Sequence, residues 1–288
     1  MRIPALFRAG RPVYSFEFFQ PKTDEELETF KAALLQLKPL QPDFVTITYG
    51  AAGSARSKTF ETAAWIKREA GIETAAHLTC LSHTRAELIG MVKAIRGLGI
   101  ENIVALRGDR PRDGSAPAGG ESEMPHAVDL VRLIRKMNAF SLAVAGYPET
   151  HPEALSPAAD MRRLKEKVDA GADWVITQLF FDNGDYFDFV RRARSAGIAC
   201  PIVPGIMPIT SFKQTRRFTD MCGATIPSQV FNDLMPIADD KEAVVRYGIE
   251  HATRQCRELL DTGAPGIHFY TLNKSRSTAD ILSRLRKE

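Results

Sequence analysis

The stretch Ser156-Pro-Ala-Ala-Asp-Met-Arg-Arg-Leu-Lys-Glu-Lys-Val-Asp-Ala-Gly-Ala-Asp-Trp-Val-Ile-Thr-Gln-Leu179 holds one complete unit of the fold. Pro157 follows Ser156 at a helix start, where its missing N–H would be unpaired anyway. The spacing predicts a helix from Pro157 to Ala170. Asp169-Ala-Gly-Ala-Asp173 then ends that helix with glycine and leads straight into the apolar run Trp174–Leu179. Arg96-Gly-Leu-Gly-Ile100 makes the same transition ahead of Asn102–Leu106. Outward from these units the pattern repeats. Eight apolar runs can be read: Val13–Phe18, Phe44–Thr48, Thr74–Thr79, Asn102–Leu106, Ser141–Ala145, Trp174–Leu179, Pro201–Ile206 and Gly266–Thr271. Most are continuous rather than alternating, as strands covered on both faces are.

Amphipathic stretches lie between the runs. Thr23–Leu37 and Thr84–Leu98 open with Thr23/Glu26 and Thr84/Glu87 in capping-box spacing. Ala127–Met137, Asp185–Ala196, Phe212–Cys222, Gln229–Met235, Glu242–Leu260 and Thr278–Arg286 also read as helices. Alternating strands and helices fit either a doubly wound sheet or a closed barrel. A dinucleotide-binding sheet would carry Gly-x-Gly-x-x-Gly after an early strand, and none is present. Eight units at this length favour the barrel. No linker divides the chain, so residues 1–288 read as a single-domain α/β protein, a (βα)₈ TIM barrel.

The composition is that of an ordinary globular chain: 288 residues, 44% hydrophobic and 25% charged. A net charge of +3 is too small to argue for nucleic acid or a membrane surface, so neither is expected as partner. The four cysteines, Cys80, Cys200, Cys222 and Cys256, have no metal-ligand or redox spacing. They read as free thiols of a reducing compartment. Met1–Arg11 lacks the apolar run of a signal peptide, and no segment approaches membrane-spanning length. A cytoplasmic protein is expected.

In such barrels the chemistry sits at the C-terminal ends of the strands. Those ends are polar here: Glu17; Thr48 and Tyr49; His77; Arg107-Gly-Asp109; Tyr147 to His151; Gln178; Asn273 and Lys274. Glu17 lies among Phe16, Phe18 and Phe19, so desolvation is expected to raise its pKa and suit it to general-acid work. A structural ion pair is the other reading of such a carboxylate. His77 on an apolar strand is more often a satisfied core histidine than a catalyst, Tyr147 and His151 can simply shape a turn at Pro148, and Gln214 can serve Ser211 in a capping box. No metal spacing and no nucleophile elbow is present. Arg110–Pro125, rich in Pro, Gly and Ser, reads as either a surface loop or a lid.

Nine phrases in order carry a resemblance: Ser15-Phe-Glu-Phe-Phe, Val45-Thr-Ile-Thr-Tyr-Gly, His77-Leu-Thr-Cys, Leu106-Arg-Gly-Asp, Tyr147-Pro-Glu-Thr-His-Pro-Glu-Ala, Lys167-Val-Asp-Ala-Gly-Ala-Asp, Ile176-Thr-Gln-Leu-Phe-Phe-Asp, Pro204-Gly-Ile-Met-Pro and His268-Phe-Tyr-Thr-Leu-Asn. Together they resemble the bacterial methylenetetrahydrofolate reductases. The resemblance implies an FAD-bound barrel in which NAD(P)H reduces the flavin and leaves. 5,10-methylenetetrahydrofolate then enters the same pocket and is reduced to 5-methyltetrahydrofolate, in the service of one-carbon metabolism and methionine synthesis. By resemblance Glu17 is the general acid that opens the folate ring, and Asp109 steadies the cationic iminium and touches the pterin. FAD contacts carry over to Thr48, Tyr49, Ala51, His77, Arg107, Gly108, Asp109, Tyr147, His151, Ala154, Asp160 and Lys167. Substrate contacts carry over to Glu17, Asp109, Gln178, Gln214, Phe218 and Lys274, the last replacing a familiar Arg.

Three departures touch the FAD tail. Arg163 stands where an Asn is familiar and Glu166 where an Arg is, and His126 or Pro125 falls where a Tyr is. Glu166 would repel a diphosphate, and Arg163 is placed to compensate. Family members are often dimers or tetramers, so a homo-oligomer is expected. The other readings are a different FAD-dependent barrel oxidoreductase, of proline-dehydrogenase type, and a folate- or flavin-binding protein without turnover.

Overall fold

A computed structural model of the chain describes residues 1–49, 55–109, 123–137 and 140–287, with the backbone alone at 55–57. The strands are β1 Val13–Phe18, β2 Phe44–Ile47, β3 Glu73–Thr79, β4 Asn102–Leu106, β5 Ser141–Gly146, β6 Trp174–Leu179, β7 Ile202–Ile206 and β8 Gly266–Tyr270. All are parallel, and β8 pairs with β1 to close the barrel. The helices are α1 Asp24–Leu37, α2 Ala55–Trp65, α3 Arg85–Gly97, α4 Ala127–Lys136, α5 Pro157–Asp169, α6 Asn183–Ser195, α7 Phe212–Cys222, α8 Ser228–Leu234, α9 Lys241–Asp261 and α10 Arg276–Leu285.

All eight expected strands lie within one residue of the observed bounds at each end. One helix escapes the sequence reading. The buried side of α2 carries Thr59, Phe60, Ala63 and Ala64, too small and too mixed to stand out as an apolar stripe. Thr84 and Glu87 form the expected reciprocal cap of α3. At α1 only half of the device is made: Thr23 accepts from the Glu26 N–H, whereas the Glu26 carboxylate reaches the Lys22 N–H.

Strand alternation sorts the core into two layers. Tyr14, Phe16 and Phe18 of β1 point outward into a large apolar layer shared with the helices, as do Val45 and Ile47 of β2. Val13, Phe44, Ala75, Val104, Ala143 and Trp174 point inward and fill the bottom of the barrel. A short 3₁₀ turn, Ile3–Arg8, plugs this end, with the Phe7 ring 5.7 Å from that of Trp174. Up the inward face the side chains turn polar: Val13, Ser15, Glu17 on β1 and Phe44, Thr46 on β2. A third apolar cluster joins α7 and α8 to Leu179, Phe181, Met207 and Ile209 beyond the ends of β6 and β7. It roofs one side of the mouth. No described helix is long and apolar enough to cross a membrane.

Candidate active site

Glu17 stands where the inward face becomes polar, with its side chain 13% exposed. Three neighbours converge on its Oε2. The Thr46 hydroxyl donates to it at 3.2 Å. His268 Nε2 stands 3.2 Å away and its Nδ1 lies 2.8 Å from Ser15 Oγ. His77 Nε2 is also at 3.2 Å, off the line of a proper hydrogen bond, and so is a buried nitrogen without a hydrogen-bond partner. Barrel register brings these groups together: Glu17 is level with Thr46 on β2 and Ser15 with His268 on β8.

Burial alone pushes the Glu17 carboxyl up. The imidazoles of His77 and His268 outweigh that and hold it far below the usual carboxylate range. The expectation of a protonated Glu17 is therefore corrected: beside the two imidazoles it is ionised. Its sequence neighbours mislead because alternation turns Phe16 and Phe18 to the opposite face, into the helix-facing core, while Phe19 is exposed. With Glu17 ionised, the network assigns a proton to His268 Nε2 and leaves Nδ1 to accept from Ser15.

The residues expected at a flavin lie around the mouth from β2 to α5. Thr48 Oγ1 accepts the Gln20 N–H at 3.1 Å. Tyr49 does not join the centre through its ring, which packs against Phe60 and places its hydroxyl 3.1 Å from His83 Nε2, behind the strands. Gly108 has φ +90°, and a Cβ there would come within 3.0 Å of Thr79, so both the backbone conformation of this turn and its packing on Thr79 call for glycine. Asp109 is exposed at the end of this turn, and its charge helps burial hold the Tyr147 hydroxyl up at about 12. Tyr147 packs edge-on to His151 at 4.6 Å, and the Asp160 carboxylate accepts the His151 N–H at 3.0 Å. Ala154 closes the turn through its N–H to the His151 carbonyl at 2.8 Å. Lys167 Nζ donates to the Ala145 carbonyl at 2.6 Å, and burial lowers its pKa from 10.5 to about 8.

The rim is already paired with itself. Arg107 holds Glu153 through two bonds of 2.7 and 2.6 Å. Arg163 is 2.9 Å from Glu166, so its charge is spent on the carboxylate it was expected to offset at a diphosphate. His126 is exposed before α4, its N–H bonded to Asp129 at 3.1 Å. Ala51 and nearly all of the Arg110–Pro125 segment lie outside the described residues.

The expected folate residues lie on β6, on α7 and beyond β8. The pairing of β6 with β7 shifts register between Ile176 and Leu179. Bulges of this kind re-aim side chains beside active sites. Gln178, within this irregularity, folds its Oε1 onto the Leu179 N–H at 2.8 Å. Gln214 and Phe218 are four apart on α7 and share a face; Phe218 packs on the roof cluster. Ser211 accepts the Gln214 N–H at 3.3 Å, so Gln214 does serve the helix cap. Lys274 is exposed beyond β8.

Sequence reasoning missed Ser15, Thr46, His268 and Tyr270. The signal was present as the two-residue period of each strand: Ser15 shares the inward face of Glu17, and His268 that of Tyr270. The Tyr270 hydroxyl donates to the Thr177 carbonyl at 2.7 Å. Gly205 makes that possible, because a Cβ there would come within 2.3 Å of the Thr177 oxygen and 2.6 Å of the Tyr270 ring.

The family model for methylenetetrahydrofolate reductase matches residues 2–286. The chain is 42% identical to 5,10-methylenetetrahydrofolate reductase of Escherichia coli over 96% of its length and 91% of that protein. The same figures hold for the protein of that name from Salmonella typhimurium. It is 41% identical to a probable methylenetetrahydrofolate reductase (NADH) of Oryza sativa, covering 96% of this chain. The chain spans about half the length of such plant relatives. Among solved structures, a Clostridium thermocellum protein that binds two copies of 5-methyl-5,6,7,8-tetrahydrofolic acid shares the fold, with TM-score 0.66, 15% identity, and coverage of 100% of this chain and 98% of that one. A closed eight-stranded barrel with Glu17 at its mouth, matched from end to end by this family, shows that the chain belongs to the methylenetetrahydrofolate reductases.

Proposed function

We propose that the protein reduces 5,10-methylenetetrahydrofolate to 5-methyltetrahydrofolate with NAD(P)H, by way of FAD, the two substrates using the mouth in turn. The observation that carries this reading is the ionised Glu17 gathered by Thr46, His268 and His77 at the barrel mouth of a chain in this family. The residues present fit a flavin at the inner part of the site. His77 Nε2 is a buried, unpartnered nitrogen at the centre of the site. Thr48, Tyr147, His151, Asp160 and Lys167 would complete the hold on FAD, with Tyr49 acting through its backbone. The chemistry this cofactor supplies when bound is hydride carriage from the nicotinamide to the folate.

The chain's own task is the proton. Opening the five-membered ring of the substrate leaves a nitrogen that must be protonated. Glu17 Oε2, taking up a proton from solvent, delivers it to that nitrogen and returns to the carboxylate that the His268 Nε2–H holds by hydrogen bond. Ser15, hydrogen-bonded to Nδ1, steadies the ring and its tautomer. Asp109 offsets the positive charge of the opened substrate. Gln178, Gln214, Phe218 and Lys274 orient the folate, Phe218 by ring contact and Lys274 by charge.

The test is spectroscopic. The purified protein reconstituted with FAD should be bleached by NADH or NADPH and regain its flavin absorbance with methylenetetrahydrofolate. A protein that takes up no FAD, or whose reduced flavin is not reoxidised by that folate, would sink the reading.

A further inference from the structure

Between the pairs Ile176/Val203 and Leu179/Gly205, β6 carries one residue more than β7. Pro204 stands opposite this bulge and has no N–H to give to β6. The Gly205 N–H goes to the hydroxyl oxygen of Thr177, a side chain rather than a strand carbonyl, at 2.9 Å. A third strand takes the Thr177 carbonyl: the Tyr270 hydroxyl of β8 reaches past β7 and donates to it at 2.7 Å. Both contacts need the bare backbone of Gly205, where a Cβ would come within 2.3 Å of the Thr177 carbonyl oxygen and 2.8 Å of the Tyr270 hydroxyl. Burial, helped by the Glu17 charge, holds the Tyr270 pKa well above 10, so the hydroxyl keeps the proton it donates. At its other end Tyr270 is level with Glu17 in the β1–β8 pairing.

We infer that Tyr270 is a positioning residue for the folate step: seated on Gly205, it holds the β6 bulge in the shape that presents the Gln178 amide to the substrate, at a fixed interval from Glu17. The inference rests on the folate reading of the mouth. The Thr177 carbonyl belongs to the planar peptide group that joins Thr177 to Gln178, so holding its oxygen fixes the plane from which Gln178 departs. Gln178 Oε1 accepts the Leu179 N–H at 2.8 Å, which sets the amide orientation and turns Nε2 into the outward donor. Among the described residues nothing accepts from that Nε2. It is matched to a hydrogen-bond acceptor, such as a carbonyl or ring nitrogen of the folate. Without the Tyr270 hydroxyl the peptide is free to tilt, and the amide loses its place although every atom of Gln178 remains. One rigid ring spanning β8 to β6 thus ties the proton-delivering carboxylate to the orienting amide before substrate arrives.

The test is a double-mutant cycle on the FAD-loaded protein with Tyr270→Phe and Gln178→Ala, read as KM and kcat for methylenetetrahydrofolate. Tyr270→Phe keeps the ring on Gly205 and removes one hydrogen bond. It should raise KM about fivefold and change kcat by about twofold or less. Gln178→Ala should raise KM at least as far, and the double variant should be no worse than Gln178→Ala alone, because the hydroxyl acts only through the amide. An unchanged KM in Tyr270→Phe overturns the assignment. So do effects that multiply in the double variant, the result for a tyrosine that only stabilises the barrel. A second measurement needs no turnover. The side-chain amide signals of Gln178 in the NMR spectrum, identified by their loss in Gln178→Ala, should shift and lose order in FAD-loaded Tyr270→Phe. Signals that stay in place overturn the assignment. Should the parent protein fail to turn over the folate, the proposed activity has failed, and the NMR comparison still decides whether Tyr270 positions Gln178.

Discussion

The carboxylate centre on β1, β2, β3 and β8 and the ionic rim on β4, β5 and α5 face the same mouth but are held in opposite ways. At the centre, strand register aims Thr46, His77 and His268 at one oxygen of Glu17, and His77 Nε2 is left unpartnered. At the rim the charges pair locally, Arg107 with Glu153 and Arg163 with Glu166. A centre built from rigid strands is preorganised, and its groups cost little to position when a ligand arrives. An exposed rim pair is worth little and exchanges readily. On the proposed function, the centre is suited to chemistry and the rim to adjustable ligand affinity.

The sharpest way to break that division is Glu17→Gln. It should slow reoxidation of the flavin by methylenetetrahydrofolate about 10²–10⁴-fold while leaving reduction by NADH within a few-fold, because only the folate step needs the acid. Stopped-flow measurement of each half-reaction separates the two, and parallel losses would remove Glu17 from the acid's role. His268→Asn should follow at about 10–10²-fold on the folate step, with a changed pH profile. An unchanged profile would leave His268 a packing residue.

Lys167 sharpens the boundary between the regions. Its pKa is lowered by burial, so the unfolded chain binds more protons than the folded one between about 8 and 10.5. Stability should therefore rise with pH across that window. Lys167→Met should abolish the rise and add about 2 kcal/mol at neutral pH, while weakening FAD binding. Urea titrations at several pH values check the first effect, and flavin fluorescence the second. The smallest effect is expected at the rim: Glu153→Gln frees Arg107 and should tighten FAD binding about two- to fivefold. Weaker binding would show that Glu153 supports the flavin site rather than competing in it.

Much of the frame was legible along the chain. Strands such as Trp174–Leu179 are covered on both sides, so they read as unbroken apolar runs between glycine stops and helix caps. Alpha-helix α2 was not legible, because its inward side is alanine and threonine rather than a strong stripe. The site was legible as a set of names, and less so as a set of environments. Phe16 and Phe18 suggested an apolar pocket for Glu17, but a strand places consecutive residues on opposite faces, and the true neighbours came from β2, β3 and β8. Glu153 gave no sign of pairing with Arg107, since it lies 46 positions away.

The order of strands, the polar character of their ends and the family phrases are properties of the sequence, because they depend on local periodicity and residue type. The charge of Glu17, the hydrogen-bond chain through His268 and Ser15, the bulge at Gln178 and the roof over the mouth belong to the tertiary structure. They arise where barrel closure brings residues some 250 positions apart within hydrogen-bonding reach, as with Glu17 and His268. A pKa is set by what surrounds a group in space, and here barrel closure replaces the phenylalanines beside Glu17 in the sequence with two imidazoles.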